Sequence, residues 1–133
     1  MKLNFTISEL IYSQRAQEEN IDNTPNAEAL DNMLELIVNC LQPIRDNIKK
    51  PMIITSGYRS NKLNKLVGGT EKSQHLKGQA VDFKISGMKP AEIIEIIKKM
   101  GVQFDQLINE YDSWVHISFN KGKNRNQVLK ICS

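Results

Sequence analysis

Histidine, cysteine and aromatic residues are scarce in this sequence, and long apolar runs are missing. The 133 residues include two histidines, two cysteines and one tryptophan. Because no run approaches the roughly 20 apolar residues of a transmembrane helix, we expect no membrane span. Cys40 and Cys132 have neither the spacing of a metal site nor that of a redox motif, so free thiols are favoured over a disulfide.

The N-terminus lacks the apolar stretch of a secretory signal peptide, so we expect a protein made in the cytoplasm that something else must release. The net charge of +3 is mild. No aromatic-rich basic stripe accompanies it, and nucleic-acid binding is therefore not expected. A slight basic excess suits approach to an anionic polymer such as a cell wall.

The composition is that of one ordinary globular domain spanning residues 1–133, with 40% hydrophobic and 25% charged residues. A chain of this length buries enough surface to fold without requiring a disulfide or a bound metal for stability. A metal ion here is therefore expected to serve chemistry rather than folding.

Two helical segments are predicted in the first third of the chain. The capping-box pattern from Thr6 to Glu9 should begin a first helix that runs to about Glu19. Thr24-Pro25 offers an N-cap followed by a proline in the first helical position. An apolar stripe then predicts a long helix that Pro43 should kink or break and Pro51 should end.

Most of the remaining chain is predicted to form strands, with two further helices. Ser60 should cap a short helix at 61–67, and a second helix should begin near Pro90 and stop at Gly101. This order of elements favours an α+β fold in which N-terminal helices pack against a small antiparallel sheet. The predicted strands cover residues 52–55, which we expect to be buried, and 80–85, 104–111, 114–119 and 127–131.

The two histidines and one aspartate form a candidate metal site. Asp82 follows His75 by seven residues, and His116 lies in a later strand. Strand alternation places Asp82 and His116 off the core face, so they share one sheet face if their strands are neighbours. Two imidazoles and one carboxylate leave the fourth position of a tetrahedral zinc ion open to water, as catalytic sites require.

These residues carry a family resemblance. The run Ser73-x-His75-x-x-Gly78-x-Ala80-x-Asp82 and the segment Trp114-Val115-His116 resemble motifs of the zinc D-alanyl-D-alanine carboxypeptidase and phage L-alanoyl-D-glutamate endopeptidase family. The hedgehog signalling domain shares the fold of that family. The segments 55–60 and 63–69 are similar to its small, phage-associated branch.

The resemblance implies roles for individual residues. His75, Asp82 and His116 match the ligands of Zn²⁺. Arg59 matches an arginine that holds the substrate carbonyl oxygen as it becomes an oxyanion. Ser73 is expected either to orient the substrate or to support His75.

The general base is where this sequence departs from the family pattern. Relatives often carry an acid three residues before the last histidine, and that position is Ser113 here. Glu110 and Asp112 are the nearby acids. A three-residue hairpin loop would place Glu110 opposite Trp114, on the face of His116, whereas a two-residue loop would turn it away. We favour Glu110 as the base, and Trp114 is a candidate wall for the substrate.

The resemblance implies a zinc metallopeptidase that hydrolyses amide bonds in peptidoglycan stem peptides, as a D,D-carboxypeptidase or an endolysin-type endopeptidase. The alternative is an inactive zinc-binding module of the same fold that binds the cell wall. We expect a monomer of phage or prophage origin, released to the wall by a separate holin. Peptidoglycan stem peptides are the expected partner.

Overall fold

Five strands form the sheet of this protein in a computed structural model that describes residues 2–132. The strand order is β1-β2-β4-β3-β5. Three of the four pairings are antiparallel, and the pairing of β5 with β3 is parallel. The strands are β1 (Ile53–Ser56), β2 (Ala80–Lys84), β3 (Gln106–Glu110), β4 (Trp114–Ser118) and β5 (Gln127–Ile131).

The sheet is therefore mixed, and the prediction of an antiparallel sheet is wrong for β5. The backbone N–H of Asn126 donates to the carbonyl of Phe104, and that of Gln127 donates to the carbonyl of Asp105. These bonds bring the chain back to the beginning of β3 before β5 starts. Both strands consequently run in the same direction.

Helices precede and interrupt the strands, and the prediction of an α+β fold is confirmed. Residues 37–41 form a π-helical turn between two α-helical segments, and residues 74–77 form a short 3₁₀ helix. The α-helices are α1 (Ile7–Ile11), α2 (Gln14–Glu18), α3 (Ala27–Leu36), α4 (Gln42–Ile48), α5 (Asn61–Leu66) and α6 (Pro90–Met100).

The first predicted helix is two helices. Thr6 caps α1 by accepting from the N–H of Glu9, as predicted. Ser13, however, has an extended backbone, and its hydroxyl accepts from the N–H of Ala16 to cap α2. A serine that satisfies the free N–H groups of a new helix favours a break over helix continuation.

The second predicted helix starts later than expected and does not break at Pro43. Its N-cap is Asn26, because the hydroxyl of Thr24 donates to Asp22 instead. The π-helical turn directly before α4 accommodates Pro43, whose ring would otherwise crowd the carbonyl of Asn39.

Strand β1 lies at one edge of the sheet, and the prediction that it is buried is wrong. It pairs with β2 alone, and the side chain of Ile53 is 55% exposed. A short β-branched run has the same local pattern at an edge as in the centre of a sheet. By contrast, the predicted Ser60 cap of α5 and the Gly101 stop of α6 are confirmed.

The hydrophobic core lies between the helices and one face of the sheet. Strands β2 and β4 turn Phe83, Val115 and Ile117 toward it. Leu10 of α1 and Met33 of α3 belong to the same cluster, so the N-terminal helices pack on the sheet as predicted. Residues that alternate with these core positions face the other side. None of the described helices is long and apolar enough to cross a membrane.

Candidate metal centre

The register between β2 and β4 brings Asp82 and His116 together. The two residues are direct partners in this antiparallel pair, so their side chains point to the same face. Nδ1 of His116 lies 2.8 Å from Oδ1 of Asp82. The condition that their strands be neighbours is therefore met.

His75 reaches this pair from the 3₁₀ helix. The hydroxyl of Ser73 accepts from the backbone N–H of His75. Nδ1 of His75 lies 2.7 Å from the carbonyl of Gly57, and since a carbonyl only accepts, Nδ1 carries the proton. The lone pair of Nε2 is then free, and Nε2 lies 3.5 Å from Oδ1 of Asp82.

Gly57 is needed for this contact because the chain packs tightly there. A Cβ at this position would collide with the carbonyl of Leu10. That carbonyl accepts from the N–H of Tyr58, which ties the loop after β1 to α1. The first helix thus holds the carbonyl that orients His75.

The three side chains fit a metal ion by their donor set and spacing. One ligand atom from each of His75, Asp82 and His116 lies within 4.8 Å of the others. His75 and Asp82 are buried, with 4% and 7% of their surface exposed. Burial raises the pKa of Asp82, but the hydrogen bond from His116, together with the neighbouring imidazole of His75, outweighs this effect, and the net pKa is well below the usual range. The carboxylate is therefore ionised, as a ligand must be.

Glu110 lies on the same face as the metal ligands. Its partner across the hairpin is Trp114, so the loop has the three residues on which the prediction depended. Oε1 of Glu110 is 3.8 Å from Nδ1 of His116. Desolvation and the charge of Asp82 raise the pKa of Glu110. A raised pKa brings a carboxyl group closer to neutral pH, where a general base works best.

Asp112 lies away from the cluster, at the tip of the hairpin. Its carboxylate accepts from the side-chain amide of Asn109 and lies 3.7 Å from the ammonium of Lys130. Asp112 is exposed. Of the two acids that the sequence offers, Glu110 is the one near the ligands.

Arg59 is held beside the cluster. Nε and Nη2 lie 3.3 and 3.2 Å from the hydroxyl of Ser56, and Nη1 lies 3.3 Å from Oδ1 of Asn64. Nη2 is also 4.0 Å from Oδ2 of Asp82. Desolvation lowers the pKa of Arg59 while Asp82 and Glu110 oppose that shift. The guanidinium is consequently a fixed cation near the ligands.

Trp114 is the first residue of β4 and lies directly after the hairpin loop. Its ring lies 5.5 Å from that of Tyr111, centroid to centroid. The indole nitrogen is buried and has no hydrogen-bond partner among residues 2–132. The indole is still close enough to Glu110 to lower the pKa of that carboxyl, against the larger effect of desolvation. Whether Trp114 contacts substrate remains a prediction.

A second cluster, built around the buried Asp105, supports His75, and sequence reasoning missed it. The carboxylate of Asp105 accepts from Arg125 Nε and Nη2 and from Gln74 Nε2, each at 2.8 Å. We call these three residues the Asp105 latch. Gln74 directly precedes His75, so the latch fixes the 3₁₀ helix to the start of β3. The one feature of the sequence that could have indicated this cluster is the position of Gln74 directly before His75.

The site brings together two imidazoles and a carboxylate, beside a further carboxylate and a fixed guanidinium. This set of groups is the kind found in mononuclear metallohydrolases. The family model described as Peptidase M15 matches residues 3–118, and the chain belongs to this family of zinc metallopeptidases. No curated protein matches the chain with significance. The matched residues include all three candidate ligands, Glu110 and Arg59.

Proposed function

We propose that this protein is a zinc-dependent peptidase that hydrolyses amide bonds in peptidoglycan stem peptides. The observation that carries the proposal is the position of Glu110, 3.8 Å from His116 and on the face of the metal ligands. A binding module has no need of an acid with a raised pKa at this place. Membership of the family supports the peptidase chemistry, and the resemblance of the motifs supports the substrate.

His75 and His116 would hold the ion through Nε2 and Nδ1, and Asp82 through a carboxylate oxygen. This assignment follows from the atoms that face one another, since Nδ1 of His75 already donates to Gly57. When bound, Zn²⁺ supplies a Lewis acid that polarises a carbonyl and makes water a stronger nucleophile.

The residues around the ligands would carry out the proton transfers and stabilise charge. Glu110 takes a proton from the attacking water and passes it to the leaving amine nitrogen. Arg59 donates to the carbonyl oxygen of the substrate as negative charge develops there. Because Ser56 and Asn64 hold the guanidinium, Arg59 loses little freedom when it does so.

The setting we propose is release to the cell wall by a separate holin, with the protein acting as a monomer of phage origin. Peptidoglycan stem peptides are the proposed partner. This part of the proposal depends on the family resemblance of the motifs.

Hydrolysis of purified peptidoglycan and of soluble stem peptides tests the proposal, with mass spectrometry to identify the bond cut. The zinc-loaded protein should release peptide products, and both a chelator and His116→Ala should abolish release. Activity that survives either treatment contradicts the proposal. Stoichiometric zinc and wall binding without any cleavage would instead support the inactive wall-binding module.

A further inference from the structure

A cleft of about 340 Å³ is lined in part by Gly57 and Arg59, two residues that also contact the candidate metal ligands. We call it the Arg15 cleft. Residues 12–15, which run from the end of α1 into the first turn of α2, form one wall, and residues 54–59 of β1 and the following loop form the other. Leu63 of α5 and Val67, the residue directly after α5, complete the lining. The cleft is large enough for a few residues of an extended peptide.

The Arg15 cleft and the metal centre share a wall. Gly57 lines the cleft, and its carbonyl accepts from His75. Arg59 lines the cleft, and its guanidinium lies 4.0 Å from Asp82. A ligand in the cleft therefore lies next to the residues that orient and neighbour the proposed metal ligands.

The charge of the cleft has one sign. Arg15 and Arg59 are cations, and no aspartate or glutamate occurs among the described residues that line it. A partly enclosed surface with two guanidinium groups attracts anions, and guanidinium groups bind carboxylates with particular strength.

Most polar groups of the lining already have partners within the protein. The hydroxyl of Ser13 accepts from Ala16, and the hydroxyl of Ser56 is held by Arg59. The hydroxyl of Thr55 donates to the carbonyl of Asp82. These groups shape the cleft but have less capacity for a ligand.

Arg15 is the cation that remains free to bind a ligand. Its only ion pair with a described residue is to Glu19 in the same helix, at 3.8 Å, and both side chains are about half exposed. Such a pair contributes little and exchanges readily for another carboxylate. Arg59, in contrast, is already balanced by Asp82 and Glu110.

We propose that the Arg15 cleft binds a carboxylate of the peptide substrate next to the scissile amide, with Arg15 as the group that recognises it. This inference rests on the proposed function and adds a specificity to it. The scissile amide in this inference is the one formed by the nitrogen of the glutamate in the stem peptide, whose α-carboxylate is directly adjacent. A stem peptide in which that α-carboxylate is free would be preferred over the same peptide with the carboxylate amidated.

The test compares hydrolysis of these two stem peptides, carboxylate and carboxamide, by the zinc-loaded protein. The wild type should prefer the carboxylate peptide by about tenfold in kcat/KM. Arg15→Gln should reduce the ratio to near one, and Arg15→Lys should retain part of it. Lys98→Gln is the matched control, because Lys98 also forms an exposed ion pair within its own helix, with Glu95. It should leave the ratio unchanged.

A wild type without preference, or a preference that survives Arg15→Gln, overturns the inference. Calorimetric binding of the two peptides separates this outcome from failure of the proposed function. If neither peptide is cut, the proposed function fails, and the dissociation constants of the two peptides then decide whether the Arg15 cleft recognises the carboxylate. A tenfold difference that Arg15→Gln removes supports the cleft, and equal constants contradict it. Circular dichroism confirms that each variant is folded.

Discussion

At the scale of single residues, the proposed catalytic role of the site depends on the position of one carboxylate. Glu110 and Asp112 are two residues apart, yet the first faces the ligands and the second faces Asn109 and Lys130. The three-residue loop between β3 and β4 causes this difference. One residue fewer in the loop would turn Glu110 away from the cluster.

We predict that Glu110→Gln lowers kcat/KM by about 10²–10⁴-fold, because the amide neither accepts nor returns a proton. Zinc content should stay at one ion per chain, since Glu110 is not one of the ligands. Asp112→Asn is the control and should remain within about twofold of the wild type. The opposite pattern, with loss of activity in Asp112→Asn alone, would make Asp112 the base.

The two cysteines should differ in reactivity. Burial raises the pKa of the Cys40 thiol to about 12, whereas Cys132 is exposed. Because the thiolate is the reactive form, we predict that iodoacetamide at pH 8 alkylates the folded protein at Cys132 only. Peptide mass mapping measures this, and alkylation in guanidinium should modify both residues. Equal rates of modification in the folded protein would contradict the burial of Cys40.

At the scale of secondary-structure elements, the Asp105 latch connects three segments that local sequence patterns leave separate. Gln74 belongs to the 3₁₀ helix, Asp105 precedes β3, and Arg125 lies in the loop before β5. Asp105 is 1% exposed, and hydrogen bonds from Arg125 lower its pKa to about 2. The carboxylate therefore stabilises the folded state only while it is ionised.

We predict that Asp105→Asn lowers the free energy of unfolding at pH 7 by about 1 kcal/mol, a value reduced by the exposure of Arg125. The folded pKa lies below the ordinary aspartate value of about 3.9. The stabilisation is thus full above that value and is lost as the pH falls toward 2. Urea unfolding from pH 7 to 2 should show the two proteins converging.

Two further variants serve as controls for the latch. Arg125→Gln should reproduce the pH dependence of Asp105→Asn, because it removes the other half of the same ion pair. Lys121→Gln breaks an exposed pair with Glu35 and should change stability by only a few tenths of a kcal/mol. A constant difference between Asp105→Asn and the wild type at every pH would contradict an ionic role.

The sequence predicts the secondary-structure elements, and the sheet face on which a side chain lies, better than it predicts which strands are neighbours. Alternation in β2 and β4 correctly puts Asp82 and His116 off the core face, because that pattern is local. Strand order is not local, so neither the parallel β5 nor the edge position of Ile53 follows from it. The bond between Gln74 and Asp105 joins residues 31 positions apart and has no local pattern at all.

At the scale of the whole molecule, the hydrophobic core and the candidate metal centre occupy different faces of the sheet. The hydrophobic cluster contains Phe83 and Ile117, and the candidate ligands lie on the alternate positions. A core of this size does not depend on the ion. Metal binding is therefore expected to add stability to a chain that is already folded.

We predict that the metal-free protein keeps its far-UV circular dichroism spectrum. Zinc at 100 times its dissociation constant should add about 2.7 kcal/mol and raise Tm by roughly 10 °C. Thermal melts with a chelator, with zinc and with magnesium measure this, and magnesium should give no rise because it favours oxygen ligands. Unfolding on chelation would show instead that the ion is a structural requirement.

The parallel strand β5 has a practical consequence for attaching this protein to anything else. It runs alongside β3, and its last residue, Ile131, pairs with Glu110. The carbonyl of Ile131 accepts from the N–H of Tyr111. A purification tag, carrier protein or solid support joined after Ile131 would emerge beside Glu110, at the edge of the sheet face that carries the candidate metal ligands, and could obstruct access to them.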